Sequence, residues 1–365
     1  MFSCLHEIQQ ASLKGSDSMA KSREGKGAGE LTQIGDLITP KLVRQIKRRS
    51  GPTPIQQRLI EAAALSVEQP DAQSLLYQHT VFCQTSLPYR NPGDDARTWE
   101  RQNGDVHLKV LAGEAMHPDE GRFVQVGLPF GPKCRMVLMH INQRALVTES
   151  PHVEVEDTLS KFVRKVLKLD SKGRNMRVVK DQLARLSASS IRLGVVRDGH
   201  AVTVNSQIVT AFDVWFPKDD RQRVLWPSTI SLSHEYFNSL MNHAVPLDET
   251  HIAALSHSAL ALDIYTWLAQ RLHRIPTGKP ARVSWLALHG QFGQGYDPER
   301  IDNFRRVFRV ALKEVLTVYR AAHVDDEDPR PPRIYSQGGS YVWREKPAKG
   351  LTLYNSPPPV RKLLK

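Results

Sequence analysis

The stretch Tyr296–Tyr319, YDPERIDNFRRVFRVALKEVLTVY, has a clear amphipathic pattern around which the second half of the chain is organised. Asp297 and Pro298 predict a helix start, because an Asp side chain accepts from the free amides of a first turn and a proline there loses no hydrogen bond. Apolar residues then recur at three- and four-residue steps, which predicts an amphipathic helix packed on a core. They are Ile301, Phe304, Val307, Phe308, Ala311, Leu312, Val315 and Leu316.

The other side of this predicted helix is basic and polar. Arg306, Arg309 and Lys313 fall opposite the apolar stripe, Asn303 lies near its start, and Arg305 lies on the edge of the stripe. Asn and Arg side chains match the major-groove edges of adenine and guanine, so the pattern suits a helix that reads DNA. The alternative is a solvated basic face on an ordinary core helix, and the rest of the chain has to decide between them.

Composition favours a basic, globular protein with a polyanionic partner. The 365 residues suggest two domains, since one core rarely grows past about 250–300 residues. Lys+Arg of 50 against Asp+Glu of 38 gives a net charge of +12. Its three cysteines are far apart, which predicts a reducing compartment. With no apolar run near the ~20 residues that span a bilayer and no basic-then-apolar leader pattern, we expect a soluble, cytoplasmic protein.

The first half predicts three helices followed by a hairpin. The helices span Lys133–Val147, Glu156–Leu169 and Asn175–Ala188, and strands flank an Asp198-Gly199 turn, which is a strong hairpin signal. Upstream, the pattern predicts a helix over Ile55–Leu65 and strands over Thr80–Leu87, Val106–Leu111 and Arg122–Val126. This order is that of a winged helix-turn-helix domain.

The second half repeats the order. Helical sequence runs from Asp248 to near His273, a short helix covers Trp285–His289, and the helix quoted above comes third, before a second predicted hairpin. The predicted fold class is therefore α+β, with two tandem winged helix-turn-helix domains after a disordered N-terminus. The predicted division is 1–35 disordered, 36–217 first domain with an N-terminal extension, 218–230 linker, 231–346 second domain and 347–365 tail.

Charge is concentrated in the first predicted domain. Residues 161–197 hold eleven Lys/Arg and two Asp/Glu, a net +9, whereas residues 231–345 hold thirteen of each. Such density predicts contacts with phosphates, which supply sequence-independent affinity for nucleic acid. We therefore expect Arg174, Arg177, Lys180 and Arg185 to bind DNA in the first domain. In the second domain the expected DNA-binding residues are Asn303, Arg305, Arg306, Arg309 and Lys313.

Several kinds of catalytic site have no counterpart in the sequence. The chain has no GxxxxGK[ST] phosphate loop, and Gly278-Lys279-Pro280 is only a fragment of one. Its histidines never reach metal-ligand spacing with carboxylates, and the His-x-His pair of a DNA-nicking enzyme is missing. The sequence thus predicts a protein that is not an enzyme and has no cofactor and no metal.

A series of ordered motifs resembles the RepA family of plasmid replication initiators. The similarity covers about 75–357 and departs at Phe130 and Lys133, where the family pattern would have a tyrosine and a small or apolar residue. The motifs are GLPFG (Gly127–Gly131), TLSKFVRKVLKL (Thr158–Leu169), FDVWFP (Phe212–Pro217), LWPSTIS (Leu225–Ser231), NSLMNHAVPLD (Asn238–Asp248), ALALDIYTWLAQRLHR (Ala259–Arg274), QFGQGY (Gln291–Tyr296) and NFRR (Asn303–Arg306).

The resemblance implies a bacterial, plasmid-encoded protein that binds repeated double-stranded DNA sequences at its plasmid origin. It further implies local melting, recruitment of the host replication initiator and replicative helicase, and a self-dimer that represses its own promoter. Two other interpretations stay open from the residues alone. One is a winged-helix transcriptional repressor without replication activity, and the other is a protein-interaction scaffold, which the neutral second domain favours.

Overall fold

The computed structural model describes residues 51–65, 75–93, 95–117, 121–154, 163–164, 173–197, 200–211, 229–326 and 350–360. The predicted disordered N-terminus, most of the helix over Glu156–Leu169, the Asp198-Gly199 turn, most of the predicted linker and residues 334–343 of the second predicted hairpin lie outside these residues. The described helices are α1 (Pro54–Leu65), α2 (Thr80–Gln84), α3 (Gly131–Thr148), α4 (Gly173–Ala188), α5 (His234–His243), α6 (Glu249–Leu255), α7 (Ala259–Arg271), α8 (Trp285–Phe292) and α9 (Ile301–Val318).

The described strands form five small antiparallel sheets. The strands are β1 (Leu75–His79), β2 (Thr98–Asn103), β3 (Val106–Leu111), β4 (Glu114–His117), β5 (Arg122–Gln125), β6 (His152–Glu154), β7 (Ser190–Arg197), β8 (His200–Gln207), β9 (Val209–Ala211), β10 (Thr229–Leu232), β11 (Ala244–Asp248), β12 (Ala281–Val283), β13 (Val324–Asp326) and β14 (Leu351–Leu353). Their orders are β1-β11, β2-β3-β7-β8, β4-β5, β6-β10-β9 and β12-β14-β13. This content of helices and strands agrees with the predicted α+β class.

α9 is the predicted amphipathic helix, and its start matches the prediction. Asp297 accepts from the amide of Glu299 and caps a short 3-10 turn, Pro298–Arg300, which leads directly into α9. The apolar stripe is the buried side of the helix, where Phe304 and Phe308 pack edge-on against the ring of Trp285 in α8. Amphipathic spacing therefore fixed both the helix and its rotation.

Around α9 the second half runs α7, β12, α8, α9, β13, β14 in chain order. Ser258 caps α7 by accepting from Ala261, and Ser284 caps α8 by accepting from Ala287. β14 lies between β12 and β13, with Ala281 opposite Leu353 and Val324 also opposite Leu353. The helical sequence predicted as continuous from Asp248 is divided into α6 and α7, because the chain turns at Ser256–Ser258.

The prediction of a strand over Thr80–Leu87 is wrong. The strand precedes it as β1, and Thr80–Gln84 is a short helix that begins where the His79 ring accepts from the amide of Val81. Val81, Phe82 and Cys83 are all buried, and α2 packs on α7. A short run of buried apolar residues does not reveal its periodicity, so a strand and a buried helical turn look alike in the sequence.

β1 pairs with β11 and so joins the two segments that the sequence assigns to different domains. Leu75 lies opposite Asp248 and His79 opposite Ala244. Contacts divide the chain into residues 1–53 and 54–365, and every element named above belongs to the second unit. The finer division into two domains joined at 218–230 stays a prediction.

A buried ion pair joins the same two segments. Arg135 of α3 is 2% exposed and donates to both carboxylate oxygens of Asp263 in α7, over 2.6 and 2.8 Å. Its other N–H groups donate to the carbonyls of Leu87, Pro88 and Gly131. Burial lowers the pKa of Arg135, but the Asp263 carboxylate raises it, and the result lies above the ordinary value. The guanidinium is therefore charged in the core.

Candidate nucleic-acid interface

The outer face of α9 is a narrow stripe of exposed side chains. Asn303, Arg306, Val310 and Lys313 are all exposed and recur at steps of three and four residues, opposite the buried side. Within the part of the chain that the structure describes, the Arg306 guanidinium and the Lys313 ammonium make no hydrogen bond or ion pair. No contact with another described residue would thus have to break before these two cations met a ligand.

Arg309 and Arg305, the other two predicted DNA-binding residues of α9, are held by the protein itself. The Arg309 guanidinium donates to both oxygens of Asp326 in β13, over 2.5 and 3.2 Å, and lies 4.9 Å from the centre of the Trp285 ring. Arg305 pairs with Asp302 over 3.1 Å and also lies beside Trp285. These cations tie α9 to its neighbours, and Asp326 would have to release Arg309 before it reached DNA.

Val310 is the member of this stripe that sequence reasoning missed. Its side chain is 57% exposed between two cations, off the apolar stripe by which the helix packs. An exposed apolar side chain on a groove-reading helix can contact the C5-methyl group of thymine. The sequence does indicate this residue, because helical periodicity places Val310 among the polar residues rather than on the apolar stripe.

In the first half, the predicted cations of α4 divide in the same way. Arg174 and Arg177 are exposed near the start of the helix, whereas Lys180 is half-buried. Arg185 is bound internally: its Nε donates to Asp181 over 2.9 Å, and its guanidinium stacks 5.2 Å from the ring of Phe130. The exposed basic surface of α4 is thus confined to its first two turns.

The GLPFG motif explains why Arg185 is held. Leu128 accepts from Arg185 through its carbonyl over 3.4 Å, and the Phe130 amide donates to Gln182 over 2.7 Å. The Gly131 amide donates to Pro88, with a backbone φ of +76° that favours glycine. The motif therefore docks α4 onto the start of α3 and has a structural role here.

Residues 128–287 match the family model described as plasmid encoded RepA protein, which confirms the resemblance over that range. This is narrower than the similarity read from the motifs, and it ends before α9 begins. No curated protein matches the chain. Among the described residues, no helix is long and apolar enough to cross a membrane.

Two solved structures of RctB are similar to the chain at low identity. One, described as SeMet derivatives of domain 2 and domain 3 of RctB, is 8% identical with a TM-score of 0.43 and covers 77% of this chain and 99% of its own. The other, RctB domains 2-3, is 8% identical with a TM-score of 0.40 and covers 67% and 83%.

Proposed function

We propose that this chain is a RepA-type plasmid replication initiator that binds repeated double-stranded sequences at its plasmid origin through α9. The family match over residues 128–287 supports the initiator role. The DNA-binding role is carried by one observation, the exposed stripe of Asn303, Arg306, Val310 and Lys313, whose charged groups have no partner among the described residues, on a helix whose rotation is fixed by its buried side. Neither the proposed initiator role nor the proposed DNA-binding role uses a catalytic residue, a cofactor or a metal.

The order of elements around α9 supports a winged helix-turn-helix arrangement. A helix, a strand, two helices and two strands follow one another, and the last strand lies between the other two. In such a domain the third helix is the recognition helix, which lies in the major groove with the residues near its start on base edges. α9 holds that position, and α8 and α9 form the helix-turn-helix.

We assign the α9 side chains by their place along the helix. Asn303 and Arg306 are nearer the start and would contact base edges, Val310 would meet a thymine methyl group, and Lys313 would contact a phosphate. Arg305 and Arg309 would position α9 against its neighbours, through the contact of Arg309 with Asp326 and of both guanidinium groups with Trp285.

The first half would supply phosphate contacts. Arg174 and Arg177 are exposed at the start of α4, in the segment that carries a net +9. Phosphate contacts fix the position of a protein on the duplex and carry no sequence information themselves. Specific reading by α9 and general attraction by α4 would thus lie on different parts of the protein.

The remaining steps of initiation belong to the proposal through the RepA resemblance alone. They are local melting of the origin, recruitment of the host initiator and replicative helicase, and a self-dimer at the promoter of the gene. A scaffold function, by contrast, is favoured by the neutral charge of residues 231–345. A gel-shift assay separates the scaffold from a DNA binder, and maintenance of a replicon by the gene with its adjacent DNA separates an initiator from a pure repressor.

The direct test compares Arg306→Ala with Arg309→Ala on a binding site selected from random duplexes. Loss of a base contact costs ~1–3 kcal/mol, so Arg306→Ala should weaken selected-site binding by about 5- to 150-fold and binding to scrambled DNA much less. Arg309→Ala is the matched control on the same helix and should mainly lower the melting temperature. If Arg306→Ala stays folded and keeps full preference for the site, α9 does not read sequence.

A further inference from the structure

A cavity of about 890 Å³ lies along one flank of α9. It is lined by Val307, Val310 and Glu314 of α9, by the start of α7, and by the loop around Arg90 that precedes β2. The other flank of α9 is occupied, because Arg305 and Arg309 lie there against Trp285 of α8. The cavity therefore lies on the flank of α9 that faces away from Trp285.

Two cations line this cavity, and two more lie near its Pro132 wall. Arg90 and Arg306 line it, and Lys133 follows directly on Pro132, which also lines it. The pKa of the Lys133 ammonium is lowered, chiefly by burial and secondly by the charge of Arg58 in α1, which lies close to it. Like charges gathered in this way repel one another, so an anion between them would be stabilised.

Internal acidic groups do not neutralise these cations. Within the described part of the chain, Arg58, Arg90, Lys133 and Arg306 make no ion pair or hydrogen bond through their charged groups. The carboxylate of Glu314 lines the cavity, but its Oε2 lies 3.1 Å from Nε2 of His257 and is bound there. Among the described side chains that line the cavity there are thus two cations and one carboxylate, so the lining carries a net positive charge.

The start of α7 adds donors to the same cavity. Ser258, Ala259 and Leu260 all line it, and Ser258 caps the helix by accepting from Ala261. The amides of the first helical residues have no partner within the helix, and a helix start carries partial positive charge. Backbone N–H groups and arginine forks are the donors that bind phosphate oxygens in proteins.

We propose that this cavity binds a phosphate group, and that the phosphate belongs to the backbone of the duplex whose major groove α9 reads. The assignment to the duplex rests on the proposed function. A helix in the major groove, which is about 12 Å wide, has a phosphate strand along each of its flanks. On one flank α8 and β13 occupy the space, and on the other the strand would pass over the cavity and meet Arg90 and Lys133.

The test replaces Arg90 and Lys133 together, as R90Q/K133Q, so that the aliphatic stems are largely kept. The matched control is R274Q/K279Q, which removes the same charge from exposed residues beyond the opposite end of α7. Binding is measured against salt on selected and scrambled duplexes. Each lost phosphate contact lowers the slope of log K against log salt by about 0.9, so R90Q/K133Q should lower it by up to ~1.8 on both duplexes, and the control should leave it unchanged.

A second experiment uses inorganic phosphate without DNA. It measures the melting temperature in phosphate and in chloride at equal ionic strength and compares the two. Phosphate should stabilise the wild type and R274Q/K279Q but not R90Q/K133Q. An unchanged salt slope with this phosphate effect present would overturn the duplex as the source and leave a site for free phosphate. Absence of both effects would overturn the proposal.

Two further outcomes are distinguishable. A wild type that binds no duplex would refute the proposed function, and the phosphate arm would still decide the cavity. Should R90Q/K133Q fail to fold, R90Q alone changes one exposed side chain and should still lower the slope by about 0.9. An unaltered slope for folded R90Q, with no loss of phosphate stabilisation, would count against the proposal.

Discussion

Asp263→Ala should be among the most destabilising single substitutions in this protein. It removes the carboxylate that accepts from Nε and one Nη of Arg135, and leaves that guanidinium buried with its charge unpaired. Breaking a buried pair by removing one partner costs ~3–5 kcal/mol. At an unfolding entropy of ~2.1 cal/mol/K per residue, a unit of about 300 residues should lose roughly 5–8 °C of melting temperature.

A double variant separates the unpaired charge from the lost packing. Arg135→Met with Asp263→Leu removes both charges and keeps apolar volume, and such replacements are often neutral or stabilising relative to the ion pair. The double variant should therefore melt well above Asp263→Ala. Thermal and urea unfolding, followed by circular dichroism, measure both. A folded Asp263→Ala that loses less than about 1 °C, or a double variant no more stable than it, would refute the role of the pair.

Three other outcomes are expected. The pKa of His79 is lowered to about 4 and that of His140 to about 3, chiefly by burial, so the unfolded protein binds protons at these two residues more readily than the folded protein does. The free energy of unfolding should therefore fall as the pH drops below 6.5, by about 2 kcal/mol for each histidine at pH 5, and replacing both histidines by Gln should flatten this pH dependence in urea titrations. Arg174→Gln with Arg177→Gln should lower the salt slope of binding to all duplexes by up to ~1.8, and an unchanged slope would remove α4 from the interface. The purified protein should neither hydrolyse ATP nor nick supercoiled DNA, and an ATPase activity abolished by Lys279→Ala would contradict this.

Local sequence patterns were enough to predict most helices of the second half of the chain. Ser233 caps α5, Ser284 caps α8 and Asp297 caps the 3-10 turn that leads into α9, and such capping depends on residues only two or three positions apart. The rotation of α9 also followed from its spacing. Trp267 and Trp285 lie in apolar stretches of the sequence, and both are buried.

Pairings between residues far apart in the chain could not be predicted from the sequence. β1 and β11 are short, lie about half the chain apart, and carry no pattern that identifies them as partners. The same limit applies to charge: Arg309 and Asp326 are 17 residues apart, and helical periodicity placed Arg309 on the open face although β13 brings a carboxylate to it. Lys133 and Arg90 were not predicted as a cluster, because only the folded chain brings the start of α3 and the loop before β2 to the cavity that α9 also lines.

Sequence-specific binding by α9 is tested by a footprint of the purified protein on the DNA that flanks its gene. We expect several protected segments of similar sequence at regular spacing, and loss of this protection for folded Arg306→Ala at concentrations that still retard scrambled DNA. Uniform protection along the fragment, or none, would contradict an initiator that reads repeated sites through α9.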